Sequence, residues 1–184
     1  MKYLCFSIVL LEKKGIFARL KLVLMMEKHK EYSIPFSGLK QGKHQFDYKV
    51  DNSFFESFGY REFNDAGISL VVLLNRMSTM LELEMHAEGT VNVDCDLTNE
   101  PFDQPVSGNM ELVVKFGEEY NDEDDEILIL PHGEHQINIA QLIYEMLVLA
   151  VPQKRVHPGV LDGSLESEVL KRLDELQPKD TKKD

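Results

Sequence analysis

The sequence predicts an α+β fold: a curved, mostly antiparallel sheet, forming a partial barrel or sandwich, packed on a long buried helix and followed by a C-terminal amphipathic helix. Three observations carry this. Period-two alternation of apolar and polar residues recurs at 44–50, 81–88 and 110–116. The strand-like runs are separated by short turns, and parallel crossovers need a dozen or more intervening residues. A nearly all-apolar run at 138–150 is closed by Pro152.

Taken in order, the first strand spans His44 to Val50, with Phe46, Tyr48 and Val50 on one face. Asp51 follows as a helix cap, and Phe54, Phe55 and Phe58 gather on one side of a short helix over 52–58. The apolar run Ile68 to Leu74 predicts a central strand. After a turn at Asn75 to Ser78, Leu81, Leu83, Met85 and Ala87 point inward from the next strand, with Glu82, Glu84, His86 and Glu88 outward. Gly89 is expected to break that strand, with Val91, Val93 and Cys95 lining another. Asn99, Pro101 and Pro105 predict a loop over 96–105. Met110, Leu112, Val114 and Phe116 line one more strand, and Ile127 to Leu130 the last.

Asn138 followed by Gln141 resembles a capping box, opening a helix whose polar stripe is only Asn138, Gln141 and Glu145. Such a helix is expected to be buried on most sides against the concave face of the sheet. Leu165, Val169, Leu173 and Leu176 form one stripe of the C-terminal helix.

The 184 residues suffice for one domain with its own core, and 43% apolar with 28% charged residues is the composition of a globular protein. Two cysteines, Cys5 and Cys95, exclude a disulfide framework and a four-cysteine zinc site within one chain, and fit a reducing compartment. A cytoplasmic location, away from membranes, is therefore expected. Residues 1–25 carry Lys2, Lys13, Lys14, Arg19 and Lys21 against Glu12 alone, while the whole chain has a net charge of −12. The body is thus strongly acidic. It should bind nucleic acid poorly and favour a basic protein partner. The two apolar runs in residues 1–25 lack a signal-cleavage site, and neither reaches the length needed to span a bilayer. Met25 or Met26 is the expected native start, with an interfacial amphipathic helix as the alternative for this extension.

Glu118, Glu119, Asp122, Glu123, Asp124, Asp125 and Glu126 place seven carboxylates in nine residues. A solvated loop between strands is the plain reading, and docking of a basic segment is the functional one. The spacing lacks the central glycine and terminal glutamate of an EF-hand. His132, Glu134 and His135 before the long helix, with His157 after it, are a conceivable metal or catalytic group, but their order matches no known ligand spacing. No phosphate-binding glycine loop or nucleophile motif occurs. No metal, cofactor or catalytic residue is assigned, and the protein is expected not to be an enzyme.

The segment from Cys95 through Asp96, Leu97, Thr98, Asn99, Glu100 and Pro101 to Phe102 is followed by Ile137-Asn138-Ile139, Glu145, Val151-Pro152 and Val156-His157-Pro158. Together with Tyr32 to Leu39 and Val114 to Tyr120, this ordered set resembles the YceD family, the large ribosomal RNA subunit accumulation proteins. The resemblance covers residues 26–158, leaving 1–25 as an extension and 159–184 as a helix and tail. It implies a non-enzymatic role in accumulation or processing of large-subunit ribosomal RNA. Many members resemble Cys-x-x-Cys at the turn, with later cysteines, a pattern that implies zinc. Thr98 stands at the second position here and no cysteine follows, so Cys95 is read as a small buried core residue.

The expected function is therefore a ribosome-biogenesis factor that binds a basic ribosomal protein or a large-subunit assembly intermediate. The expected contacts are Glu118 to Glu126, then the surface at Asp96 and Phe102. The alternative is a shell for a small ligand or lipid, with the apolar helix bordering a cavity in the sheet.

Overall fold

A computed structural model describes residues 29–122, 124, 126–165 and 172. The expected N-terminal extension lies outside the described residues, as does the C-terminal helix apart from Leu165 and Arg172. Strands β2 (Gly42–Asp51), β3 (Asp65–Arg76), β4 (Met80–Asp94), β5 (Pro101–Gly117) and β6 (Ile127–Pro131) form one sheet in that order. Strands β1 (Ser33–Pro35) and β7 (Gln136–Asn138) form a separate pair. Among the described residues three α-helices join them, α1 (Asn52–Ser57), α2 (Ala140–Ala150) and α3 (Pro158–Leu161), with a short 3-10 turn at Lys30–Tyr32. The α+β class and the mostly antiparallel sheet are as the sequence predicts. The sheet is open, with β2 and β6 at its two edges, and does not close into a barrel.

The alternating pattern sets which face is buried. Ile68, Leu70, Val72 and Leu74 of β3 join Leu81, Leu83, Met85 and Ala87 of β4 in the core. Because successive strand side chains alternate, Val71 and Leu73 face the other way and are only half-buried. The apolar run is therefore not covered on both faces, but β3 is an interior strand, paired with β2 on one side and β4 on the other, as the sequence predicts.

Gly89 does not end a strand. β4 runs through it, opposite Ile68, to Asp94. A Cβ at Gly89 would lie 2.3 Å from the Gly67 carbonyl oxygen and 2.6 Å from Ile68 Cα. This glycine lets two strands approach closely, the other common meaning of glycine in a strand. Pro101 and Pro105 likewise lie inside β5 and not in a loop. β6 pairs with β5 only over Val113–Gly117, so the prolines sit where β5 has a neighbour on one side alone. An edge tolerates the missing N–H.

The expectation of antiparallel pairing fails at β6, which lies parallel to β5. The return is made between Gly117 and Ile127. Asn121 exchanges backbone hydrogen bonds with Ile129 in antiparallel sense, so the chain at Asn121 runs back on the far side of β6. Nine residues reach up to about 30 Å when extended, enough to retrace the five-residue strand.

Asp51 caps α1, accepting the Phe54 N–H at 3.3 Å. Phe54 and Phe55 are buried, and Phe58 stacks between His29 and Tyr144, with centroids 4.7 and 4.6 Å away. That stack ties α1 to α2. The capping box expected for α2 is absent: Asn138 bonds the Ala140 N–H and spans to His29 and Ser33, while Gln141 bonds Glu145. Nor is α2 buried on most sides. Ala140, Ile143, Met146 and Leu147 are buried, but Leu149 is 83% exposed. Met146 reaches the sheet where Gly108 has no side chain, since a Cβ there would lie 3.1 Å from Met146 Cγ. These side chains are buried and Met146 lies against Gly108 of β5, and the alternative of a ligand shell is not supported.

Candidate functional site

Two places concentrate the residues singled out in the sequence: a corner around Cys95 and the acidic return segment. The corner forms where β4 ends. The Cys95 N–H bonds the Glu100 carbonyl at 2.9 Å, and Asn99 N–H bonds the Cys95 carbonyl at 2.8 Å. Asn99 has φ 58°, a left-handed conformation that asparagine tolerates better than most side chains. The turn is thus built locally.

Its partner comes from 60 residues on. Asp96 N–H donates to the Arg155 carbonyl at 2.8 Å, and Arg155 N–H donates to Asp96 Oδ2 at 2.6 Å. The Arg155 guanidinium lies 3.7 Å from Asp96 Oδ1 and 3.4 Å from Glu62 Oε2. Phe102, buried, meets the His157 ring edge-to-face at 5.5 Å. His157 Nδ1 accepts the Gly159 N–H, capping α3. Asp96 and Phe102 are therefore engaged within the chain.

Cys95 is buried, as expected, with its Sγ accepting the His157 N–H at 3.3 Å. Burial alone pushes the thiol up. The His157 N–H, the Thr98 hydroxyl and the backbone of Leu97 and Thr98 outweigh it, so the thiol lies below its ordinary value. Thr98 thus serves Cys95 as a polar neighbour. Arg155 and Glu62 were not singled out from the sequence, because no local pattern links them to residue 96.

In the acidic segment Glu118, Glu119, Asp122, Asp124 and Glu126 are exposed, while Glu123 and Asp125 lie outside the described residues. The segment is held by Asn121 on Ile129 and by the Val113 N–H on the Glu126 carbonyl at 2.8 Å. Partial burial, followed by the Asp122 carboxylate it hydrogen-bonds, pushes the Tyr120 hydroxyl up to about 12. Glu145 of α2 adds to that effect, which places the helix's polar stripe within electrostatic reach of the segment.

His132, Glu134 and His135 are exposed in the turn before β7, whereas His157 belongs to the Cys95 corner. Among the described residues no group of three or more His, Cys, Asp or Glu side chains is placed to hold a metal. None of their helices is long and apolar enough to cross a membrane.

The family described as large ribosomal RNA subunit accumulation protein YceD matches residues 83–184, from within β4 onward and just over half of the chain. The chain belongs to that family. No curated protein and no solved structure matches it.

Proposed function

We propose that this member of the YceD family supports accumulation or processing of large-subunit ribosomal RNA by binding, without catalysing a reaction. In this reading its acidic return segment holds a basic ribosomal protein, or a basic patch of an immature large subunit, in the cytoplasm. The observation that carries the reading is the attachment of the segment. Its exposed carboxylates flank two fixed points, Asn121, which exchanges backbone hydrogen bonds with Ile129 of β6, and Glu126, whose carbonyl accepts the Val113 N–H. Charges held in place cost less ordering on binding and steer a cationic partner over a Debye length, about 8 Å at physiological salt. RNA phosphates would meet the same field as a repulsion, so the reading assigns the contact to protein.

Co-sedimentation of the chain with ribosomal particles from native lysate, at low and moderate salt, tests this. Reversal of Asp122, Glu123, Asp124 and Asp125 to lysine should abolish association with large-subunit precursors and leave the melting temperature unchanged. Association that survives the reversal overturns the role of the segment.

A further inference from the structure

The face of the sheet turned away from the core has an unusual make-up. In register across the strands, Leu73 stands beside Glu84 and Glu84 beside Glu111. One step along, Val71 stands beside His86 and His86 beside Asn109. These six residues line a shallow hollow of about 210 Å³. Farther across, Val113 pairs with Ile127. None of these four aliphatic residues belongs to the core or packs against it.

A sheet face meant only for water carries polar residues, often with opposite charges across strands. Here Glu84 and Glu111 are like charges directly opposite one another, an arrangement that destabilises a sheet. Glu82 bonds Asn75, and His86 lies 3.1 Å from Glu88. Among the described residues no lysine or arginine forms an ion pair with Glu82, Glu84 or Glu111. The face thus combines half-buried aliphatic side chains with repelling carboxylates, and both are relieved by the same kind of occupant.

We propose that this face docks a basic polypeptide segment. Its lysine or arginine side chains sit between Glu84 and Glu111, and its aliphatic side chains cover Val71 and Leu73. Charge complementarity selects the occupant: an acidic or neutral strand leaves the carboxylate pair uncompensated, and nucleic acid adds phosphates to it. The proposal rests on the reading that the partner is a basic protein, and it assigns that partner a second surface beside the acidic segment.

Calorimetric titration of the full chain at low salt with a short synthetic peptide alternating lysine and leucine tests the proposal. A lysine and serine counterpart and a single-stranded RNA oligonucleotide serve as controls. Glu84→Gln combined with Glu111→Gln should weaken binding of the lysine-leucine peptide about tenfold. The same change should raise the melting temperature, because it removes the repulsion, so loss of binding is not loss of fold. Glu100→Gln with Glu134→Gln, exposed carboxylates outside both this face and the acidic segment, should leave that affinity within about twofold. Unchanged affinity in the glutamine pair, equal binding of the serine counterpart, or displacement of the peptide by RNA would each overturn the proposal. Peptide binding lost only in the lysine reversal of the acidic segment would overturn it too, while leaving the reading of that segment intact. Failed co-sedimentation beside intact, glutamine-sensitive peptide binding would instead reject the segment and keep the face.

Discussion

Asp96 and Arg155 hold each other through both backbone and side chain. Each donates its N–H to the other residue, at 2.8 and 2.6 Å, and the guanidinium lies beside the carboxylate. This clasp fixes the segment leading to α3 on the end of β4. Asp96→Ala should cost about 1 kcal/mol, low for a charge-assisted bond because the carboxylate is partly exposed. The matching drop in melting temperature is roughly 2–4 °C. Asp96→Asn, which keeps an acceptor for the Arg155 N–H, should cost less, and thermal melts of the two variants check the order.

The Cys95 thiol gives a pH-dependent prediction. Burial raises its pKa, but the His157 N–H and the Thr98 hydroxyl bring it below the ordinary value. The folded chain then binds this proton less tightly than the unfolded chain. Its contribution to stability is fully present above the ordinary thiol value and is lost as pH falls through the folded one. Thr98→Val removes one donor and should flatten this rise of stability with pH. Urea titrations from neutral to alkaline pH, with thiolate absorbance as the direct readout, measure it. Identical profiles for both proteins would count against the assignment.

Gly89 and Gly67 lie on neighbouring strands and should differ sharply in what a methyl group costs. A Cβ at Gly89 meets backbone at 2.3 Å, whereas one at Gly67 meets nothing within 4 Å. Backbone cannot rotate away as a flexible side chain can. Gly89→Ala should destabilise by about 3 kcal/mol and Gly67→Ala by about 0.5 kcal/mol or less. Denaturant midpoints at equal m-value separate the two.

Leu147 and Leu149 occupy one helix two residues apart, yet one is 1% and the other 83% exposed. Leu147→Ala should lose roughly 2–5 kcal/mol, by lost burial and a residual cavity. Leu149→Ser should stay within about 0.5 kcal/mol. Equal losses in chemical denaturation would mean that α2 presents a different face to the sheet.

What was legible in the sequence shares one property: it depends on residues a few positions apart. The alternation at 44–50, 81–88 and 110–116 gave the strands and their inner faces, because side chains of a strand alternate whatever the strand pairs with. The Asp51 cap was legible for the same reason, since its acceptor and the Phe54 N–H are three residues apart. The acidic segment could be located from composition, and the family from an ordered set of short motifs.

The misreadings arose where the meaning of a residue depends on a distant neighbour. Gly89 and Pro105 look like breakers when read alone, but β3 beside one and an unpaired edge beside the other make them strand residues. Cys95 could be read as buried, but not that the His157 N–H would point at its sulfur. The sequence by itself therefore determined the inner faces of the alternating strands, the acidity and the family of this protein. Only the tertiary structure decided the parallel placement of β6, the buried side of α2, the Asp96–Arg155 clasp and the opposition of Glu84 to Glu111. Local patterns follow from backbone geometry and spacing, whereas these four relationships exist only once long stretches of chain are brought together, and no short-range preference encodes which stretches meet.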